Sequence, residues 1–502
     1  MKRLLNAMVI ASLGLATASA QEALPTAYDS LLKRIEMLEQ QQVLLRQQQH
    51  ASTKDTVYIV KEVLPPMPQE PAVEEPVEHK GEKAHYDGDP SFKKFRFGGY
   101  GEMLLRHKDY SYNRWAGNGV YRMDRSEISI PRFVIAGDYK FSRWFQLGAE
   151  IEFEAGGVGT EWEQETGSGA ENGELETEWE KGGEVALEQF HLTVPFLREI
   201  NLRMGHIIVP VGITNTHHEP VFFFGTSRPE GETKIIPSTW HETGVELFGT
   251  VGHNYATFSY DVMLVNGLTA DGMDKYKFLG GAKQGLFEQD LFSCPAFAAR
   301  VDYNGVPGLR LGGSFYYCKD AGKNSNYPHY YSDFEVPIRI FSVDAQYINR
   351  WVTIRGNILH GNIDNTDKLT RATLGRTSKA YSGNTPVAKT GVSYAGEVGV
   401  NIGNCFKNSK KPLKIYPFAR YEYYNAQQSL DEAWVGEVAD PRCQVAMWTF
   451  GVDWYALPLL VIKGDWSTHH IGTNSPFDWE TDYKSENDLS LGIAYVGWFC
   501  KK

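Results

Sequence analysis

From Phe95 to the end of the chain, segments of about ten residues alternate apolar with polar or small side chains. Between Phe145 and Phe153, for example, the odd-numbered residues are all apolar, and the even-numbered residues are Gln, Gly and Glu. Successive residues of a β-strand point to opposite faces, so the pattern predicts strands with one apolar face and one polar face. A length of about ten residues is typical of strands that cross a bilayer at a tilt.

Sixteen such strands are predicted, at residues 95–106, 127–140, 144–154, 185–195, 199–210, 242–250, 255–266, 294–303, 309–318, 336–347, 351–361, 393–403, 413–425, 445–456, 459–468 and 488–499. Short turns and long polar loops connect them in strict succession. This succession is typical of membrane barrels, which have short periplasmic turns and long outer loops. An even strand count also returns both ends of the barrel to the periplasm.

Backbone groups in lipid have no water to bind, so these strands must close on themselves. About sixteen strands enclose a lumen too wide for side chains to fill. The apolar faces are therefore expected to contact lipid, and the polar faces, with Glu150 and Glu152 among them, to enclose water. The predicted fold class is all-β, a 16-stranded antiparallel transmembrane β-barrel with a short N-terminal α-helical coiled-coil stalk.

The composition supports a barrel. Twelve Trp, 27 Tyr and 26 Phe accompany 49 Gly, and Tyr and Trp concentrate at membrane interfaces. Beyond residue 20, no segment approaches about 18 consecutive apolar residues, which excludes a helical membrane protein. The formal net charge is −12, with no basic run, which argues against nucleic acid as a partner.

Residues 1–20 are predicted to be a signal peptide. Lys2 and Arg3 precede an apolar stretch, and Ala18-Ser19-Ala20 provides the small residues at which signal peptidase cuts. The mature chain is therefore expected to lie outside the cytoplasm.

A coiled-coil segment is predicted for residues 21–53, in the periplasm. Leu31, Ile35 and Leu38 recur at heptad spacing and need partners, which favours a parallel oligomer. A lone amphipathic helix lying on its own domain is the alternative. Residues 54–94 are rich in Pro and Glu and are predicted to be an extended linker, and residues 95–502 form the barrel.

Two stretches of this sequence resemble the phosphate-selective porin O/P family. They are "RMGHIIVPVGITN" at 203–215 and "ETGVELFG" at 242–249, and the hairpin at 127–154 is similar to that family's second and third strands. The resemblance implies a trimeric outer-membrane porin in which the loop after strand five folds into the pore. That loop is residues 216–242 here, and the implied candidates for narrowing and charging the lumen are His217, His218, Arg228 and Lys234.

Both signs of charge are predicted on the inner face. The cations are Arg132, Arg203, Arg300, Arg310, Arg355, Arg420 and Lys463, and the anions include Glu150, Glu152, Glu246, Asp302, Asp344, Glu397, Glu422, Asp453 and Asp465. Cations that face water would raise the local concentration of anions such as phosphate. Alternatively each cation pairs with an acidic neighbour and stiffens the wall, which predicts weak selectivity. Family members that favour phosphate present ladders of Arg and Lys, whereas these faces are mixed.

Cys294 and Cys318 are predicted to form a disulfide. The hairpin of strands 294–303 and 309–318 is centred near Val306, which places the two cysteines opposite each other. The compartment is expected to be oxidising.

No catalytic arrangement, metal-ligand frame or cofactor motif is found in the sequence. His217-His218 and His469-His470 are expected to be loop histidines that bind no metal, because adjacent side chains of an extended chain diverge and there is no HExxH frame. The acidic segment 154–184 is expected to be a solvated loop, with Ca²⁺ binding by its carboxylates as the alternative.

The predicted function is passive diffusion of small hydrophilic or ionic solutes through an outer-membrane channel of a Gram-negative bacterium, without a cofactor. A receptor or adhesin with a blocked lumen, and a barrel enzyme, are the alternatives.

Overall fold

The computed structural model describes residues 93–110, 124–157, 163–164, 177–178, 183–273, 277–284, 290–373, 386–406, 413–431, 439–472 and 485–501. The predicted signal peptide, the coiled-coil segment and nearly all of the linker lie outside these residues, as does most of the acidic segment 154–184. Among the described residues, no helix is both long enough and apolar enough to cross a bilayer.

Sixteen long strands form the sheet, and the second strand is interrupted. Their bounds are β1 Phe95–Lys108, β2 Arg125–Ser129 with Arg132–Ser142, β3 Phe145–Glu154, β4 Glu184–Pro195, β5 Asn201–Ile208, β6 His241–Val251, β7 Phe258–Val265, β8 Ala296–Tyr303, β9 Leu309–Cys318, β10 Ile338–Ile348, β11 Val352–Ile363, β12 Thr390–Val400, β13 Lys414–Ser429, β14 Gln444–Leu457, β15 Leu460–Ile471 and β16 Ser485–Lys501. The α-helices of the described residues are α1 Ile213–Thr216, α2 Glu230–Ile235 and α3 Thr366–Thr373. Pro131 lies in the interruption of β2, where its missing N–H cannot serve the ladder.

The sheet closes into a barrel. Each strand pairs antiparallel with its neighbours in the chain, and β1 pairs with both β2 and β16. Tyr100 of β1 lies opposite Val134 on one side and Val496 on the other. The sixteen predicted strands all coincide with observed ones, so the predicted antiparallel barrel is confirmed.

The outer surface of the barrel is apolar, as predicted. In β3, Phe145 and Ile151 are 40% and 38% exposed, whereas Glu150 is 1% exposed. On β14, the rings of Trp448 and Phe450 stack on this outer surface with centroids 5.7 Å apart. The barrel therefore presents to its surroundings the kind of surface that hydrocarbon solvates.

The inner face is not polar throughout, and this corrects the prediction. From β7 to β11, at the end with the long loops, inward residues such as Val265, Tyr316 and Ile338 are apolar and almost fully buried. The loops fold back into the barrel mouth and supply apolar partners, including Phe278 and Leu369. A continuous hydrophobic core thus fills this part of the lumen, because the long loops bring their own apolar side chains into it.

The predicted opposition of Cys294 and Cys318 is wrong. Cys318 lies opposite Ala296, because the β8–β9 hairpin is centred near Pro307 rather than Val306. Moving the centre by one residue moves the partner by two. Cys294 precedes β8, and both cysteines are buried free thiols.

Candidate functional site: a segment folded into the barrel

The connection between β5 and β6 lies inside the barrel. Residues 209–240, hereafter the inserted segment, contain α1 and α2, and α2 contacts β11, β12 and β13. Val209, Ile235 and Trp240 are completely buried. The Trp240 ring packs against Tyr316 of the wall with centroids 4.8 Å apart. The apolar residues of "IIVPVG" (207–212) and "KIIP" (234–237) therefore pack in the hydrophobic core of the barrel.

Glu232 of α2 ties the two short helices of the inserted segment together. Its carboxylate accepts hydrogen bonds from the N–H groups of Ile213, Thr214 and Asn215 at 3.2, 3.2 and 2.7 Å. It also accepts from Asn357 Nδ2 of the wall at 2.9 Å. These contacts satisfy the free amides at the start of α1. Burial raises the pKa of Glu232 to about 7, although the backbone hydrogen bonds oppose that rise.

Acidic side chains of the wall accept hydrogen bonds from the backbone of the inserted segment. The pairs are Glu422 with the N–H of Glu230 (2.6 Å) and of Gly231 (3.1 Å), Asp453 with the N–H of Gly225 (3.2 Å), and Asp465 with the N–H of Thr226 (2.6 Å). These three carboxylates were predicted to line a wet lumen. They are instead buried and bound to amide groups, which are strong donors to an anion.

Basic side chains of the wall donate to carbonyl groups of the same segment. The pairs are Arg132 with His218 O (3.1 Å), Arg420 with Phe224 O (2.8 Å), and Lys463 with Phe223 O (2.9 Å) and Gly225 O (2.7 Å). The wall therefore binds both the N–H groups and the carbonyl groups of the segment's backbone. Three of the seven predicted lumen cations bind the segment in this way.

Ion pairs within and between strands occupy the cations as well. The pairs are Arg203–Glu246 (2.8 Å), Arg300–Asp302 (2.7 Å), Arg300–Asp344 (2.9 Å), Arg310–Asp344 (3.4 Å), Arg355–Glu397 (2.5 Å) and Arg420–Glu422 (2.7 Å). Lys463 lies 3.9 Å from Asp453, on the neighbouring strand. This arrangement matches the alternative in which the charges brace the wall.

The four predicted constriction residues lie at different places on the inserted segment. His217 Nε2 accepts a hydrogen bond from Arg310 Nη1 at 2.7 Å, and burial together with the guanidinium groups around it lowers its pKa well below the ordinary value. His218 Nδ1 donates to Asn215 O at 2.9 Å. The two basic residues also have protein partners. Arg228 donates to Thr239 Oγ1 at 3.0 Å, and Lys234, which is 41% exposed, pairs with Glu230 at 3.2 Å.

An acidic cluster around Arg132 was only partly predicted. Glu150 and Glu152 lie inward as expected, but both are buried rather than open to water. Glu102 pairs with Arg132 at 3.1 Å, and Glu188 accepts from Tyr100 Oη at 3.2 Å. Glu102 shares the inward parity of β1, a signal that could have identified it, whereas Glu188 lies at a β-bulge where the parity of β4 changes. Glu232 has no such signal, because it lies in a loop with no strand periodicity.

A cavity of about 620 Å³ opens on the side of the inserted segment that faces the short turns. We call it the vestibule. Its charged lining residues are Arg198, Arg203, Arg300, Arg310, Glu246, Asp261 and Asp302, and its amides are Gln146, Gln189, Asn201 and Asn304. A second cavity of about 30 Å³ lies beside Phe222, Arg355 and Asn357. In the described part of the chain, no group of three or more His, Cys, Asp or Glu side chains is arranged to hold a metal ion.

No family model matches the chain, so membership of the phosphate-selective porin O/P family stays a prediction. An uncharacterized protein of Aquifex aeolicus is 24% identical over 380 residues, which cover 74% of this chain and 75% of the relative.

Solved outer-membrane barrels are similar to the chain at low identity. OmpF of Salmonella typhi, solved with daunomycin, is 12% identical with a TM-score of 0.48, over 81% of this chain and 98% of that chain. The channel DcaP of Acinetobacter baumannii is 11% identical with a TM-score of 0.44, over 80% and 97%. OmpT of Vibrio cholerae, solved as a trimer, is 12% identical with a TM-score of 0.41, over 81% and 100%. TM-scores below 0.5 do not establish a shared fold, and the assignment to closed barrels rests on the strand pairing of this chain.

Proposed function

We propose that the chain is an outer-membrane channel of a Gram-negative bacterium for passive diffusion of small hydrophilic or ionic solutes. The observation that carries this proposal is the inserted segment, which narrows the lumen and is bound to the wall at both its amides and its carbonyls. A closed barrel with an even number of strands and an apolar outer surface is the outer-membrane type. A segment bound inside such a barrel leaves a restricted path, which filters solutes by size and charge.

Ion selectivity is proposed to be weak. The charged residues that line the vestibule comprise four cations and three anions, and the ion pairs described above neutralise most of them. Anions such as phosphate are among the solutes proposed, but paired cations attract a passing anion less than free ones do.

The assembly is proposed to be a homotrimer surrounded by outer-membrane lipid, with residues 21–53 as a periplasmic coiled-coil stalk. The heptad spacing of Leu31, Ile35 and Leu38 supports an oligomer. Deleting residues 21–60 is expected to weaken the trimer on a non-denaturing gel. An unaltered oligomer would show that the stalk has no part in assembly.

Planar-bilayer recording tests the channel. Purified protein should produce discrete conductance steps, and a salt gradient should give a reversal potential near zero, as weak selectivity requires. Detergent buffer without protein is the control. A folded barrel that inserts and shows no steps would rule out diffusion through the lumen.

A surface receptor or adhesin with a blocked lumen is the second candidate. The hydrophobic core that fills the barrel mouth from β7 to β11 favours it, because water and ions do not cross a packed apolar core. The same recording separates the two functions, since the receptor predicts an insulating barrel.

A further inference from the structure

The vestibule and the second cavity lie on either side of one side chain. The vestibule reaches Thr216, His217 and Arg310, and the second cavity reaches His217, Phe222 and Arg355. His217 is the one residue that these two cavities share in their linings. Its imidazole therefore stands between them.

Hydrogen bonds hold the imidazole in this position. The Thr216 hydroxyl donates to Gly212 O at 2.8 Å, and it lies 3.0 Å from His217 Nδ1, from which it can accept. His217 Nε2 then accepts from Arg310 Nη1 at 2.7 Å. The ring also meets Phe222 edge-on, with an interplanar angle of 80° and centroids 6.3 Å apart. A ring held at both nitrogens and along one edge is a defined obstacle rather than a mobile side chain.

Other parts of the inserted segment lie tight against the wall. Val221 packs in a buried cluster with Tyr100 and Val134 of β1 and β2. Phe224, three residues further on, stacks on Phe418 of β13 with centroids 5.3 Å apart. Close-packed contacts of this kind leave no room for a hydrated solute. The vestibule and the second cavity both lie against the part of the segment that carries His217.

We infer that His217 is the partition between the two cavities, and that its imidazole sets the largest solute that passes the inserted segment. This inference rests on the proposed channel function and names the residue that determines its size limit. The partition acts by volume, because an imidazole that accepts from Arg310 is neutral. Guanidinium groups of Arg310, Arg300 and Arg355 surround it and disfavour its protonation.

Three substitutions at this position separate volume from hydrogen bonding. His217→Ala removes the ring and the acceptor, His217→Asn keeps an acceptor for Arg310 in a smaller side chain, and His217→Phe keeps a ring without the acceptor. His329→Ala is the matched control, since His329 is an exposed histidine of the 3-10 helix Pro328–Tyr331 and lines neither cavity. Folding of each variant is checked by its β-sheet circular dichroism and its heat-modifiable mobility on gels.

The measurements are single-channel conductance and the rate of liposome swelling in neutral sugars of increasing size. His217→Ala and His217→Asn should raise the conductance at least about twofold and admit sugars that the wild type excludes, because the two cavities then join. His329→Ala should keep the wild-type conductance and size limit, and His217→Phe should admit no sugar larger than those the wild type admits, because a ring still separates the cavities. If one small variant fails to fold, the other still provides the test.

A conducting wild type whose small variants keep its conductance and size limit would overturn the partition but not the channel. A gain for His217→Phe as large as that for His217→Ala would also overturn it, because the effect would then come from the lost bond to Arg310. An insulating wild type with a conducting His217→Ala variant would overturn the proposed function and support the partition. Insulating behaviour of both would overturn both.

Discussion

The role of each inward charge depends on which group lies nearest to it. Lys463 and Arg355 are both cations on the inner face, yet Lys463 donates to two carbonyls of the inserted segment while Arg355 pairs with Glu397. Both are bound to protein rather than to water. A buried cation without such acceptors would cost several kcal/mol, so these partners are obligatory.

Replacing Lys463 by Met should therefore destabilise the barrel. The stem volume is kept, but the carbonyls of Phe223 and Gly225 lose their donor and Asp453 loses a nearby cation. The expected loss is about 1–3 kcal/mol, since buried acceptors are left without a partner. Urea unfolding in detergent measures it. Lys319→Met is the control: Lys319 is 61% exposed, and no measurable change is expected. Equal midpoints for the two variants would contradict the role assigned to Lys463.

The stability contributed by Glu232 should depend on pH. Its pKa rises from an ordinary value near 4.5 to about 7 in the folded state. Between these values the folded chain holds a proton that the unfolded chain has released, so this contribution is present below about pH 4.5 and is lost as the pH rises through about 7. Glu232→Gln does not titrate.

Unfolding free energies of the wild type and of Glu232→Gln are compared at several pH values. The wild type should lose up to about 3 kcal/mol relative to the variant between pH 4.5 and 8. Glu335→Gln, an exposed carboxylate paired with Lys319, is the control and should run parallel to the wild type. Parallel curves for Glu232→Gln would show that Glu232 does not titrate in this range.

At the scale of elements, the inserted segment depends on a glycine at its first turn. Gly212 has φ +81°, and a Cβ there would lie 2.1 Å from Glu232 Oε1. Both the backbone conformation and the carboxylate that caps α1 therefore require glycine. The sequence could not identify this requirement, because Glu232 is twenty residues away and lies outside any strand pattern.

Gly212→Ala should loosen the inserted segment. The expected cost is about 1–3 kcal/mol, from the strained φ and from displacement of Glu232. Gly156→Ala is a matched control, since its φ of +88° is similar but a Cβ there meets nothing within 4 Å. Limited proteolysis of the segment and urea unfolding report the difference. A Gly156→Ala variant that is equally destabilised would assign the whole cost to backbone strain.

At the scale of the whole molecule, the outer surface sets the solvent that the chain requires. Phe133, Phe341, Val343 and Leu491 are each about half exposed on the outside of the barrel, and they belong to a continuous apolar surface. Such a surface exceeds what soluble monomers tolerate. Every strand is paired on both edges, so the sheet is closed and these outward side chains cannot turn into the interior.

The barrel should accordingly be monodisperse in detergent and should aggregate when detergent is removed. Size-exclusion chromatography before and after dilution below the critical micelle concentration tests this. A monodisperse mature chain in plain buffer would contradict both the lipid-facing surface and the channel.

Much of the barrel could be predicted because alternation is a local property. Successive side chains of a strand point to opposite faces whatever else the chain does, and lipid accepts only apolar ones. Strand positions, the outward face and the inward parity of Glu150 and Arg300 follow from that rule.

The partners of the inward residues do not follow from the sequence pattern. Lys463 binds a carbonyl 240 residues earlier in the chain, and Cys318 missed its predicted partner through a shift of one residue at a turn. The apolar core in the barrel mouth arises the same way, from loops with no periodicity. Contacts between residues far apart in the chain depend on how the loops pack inside the closed barrel, and no short-range sequence pattern determines that packing.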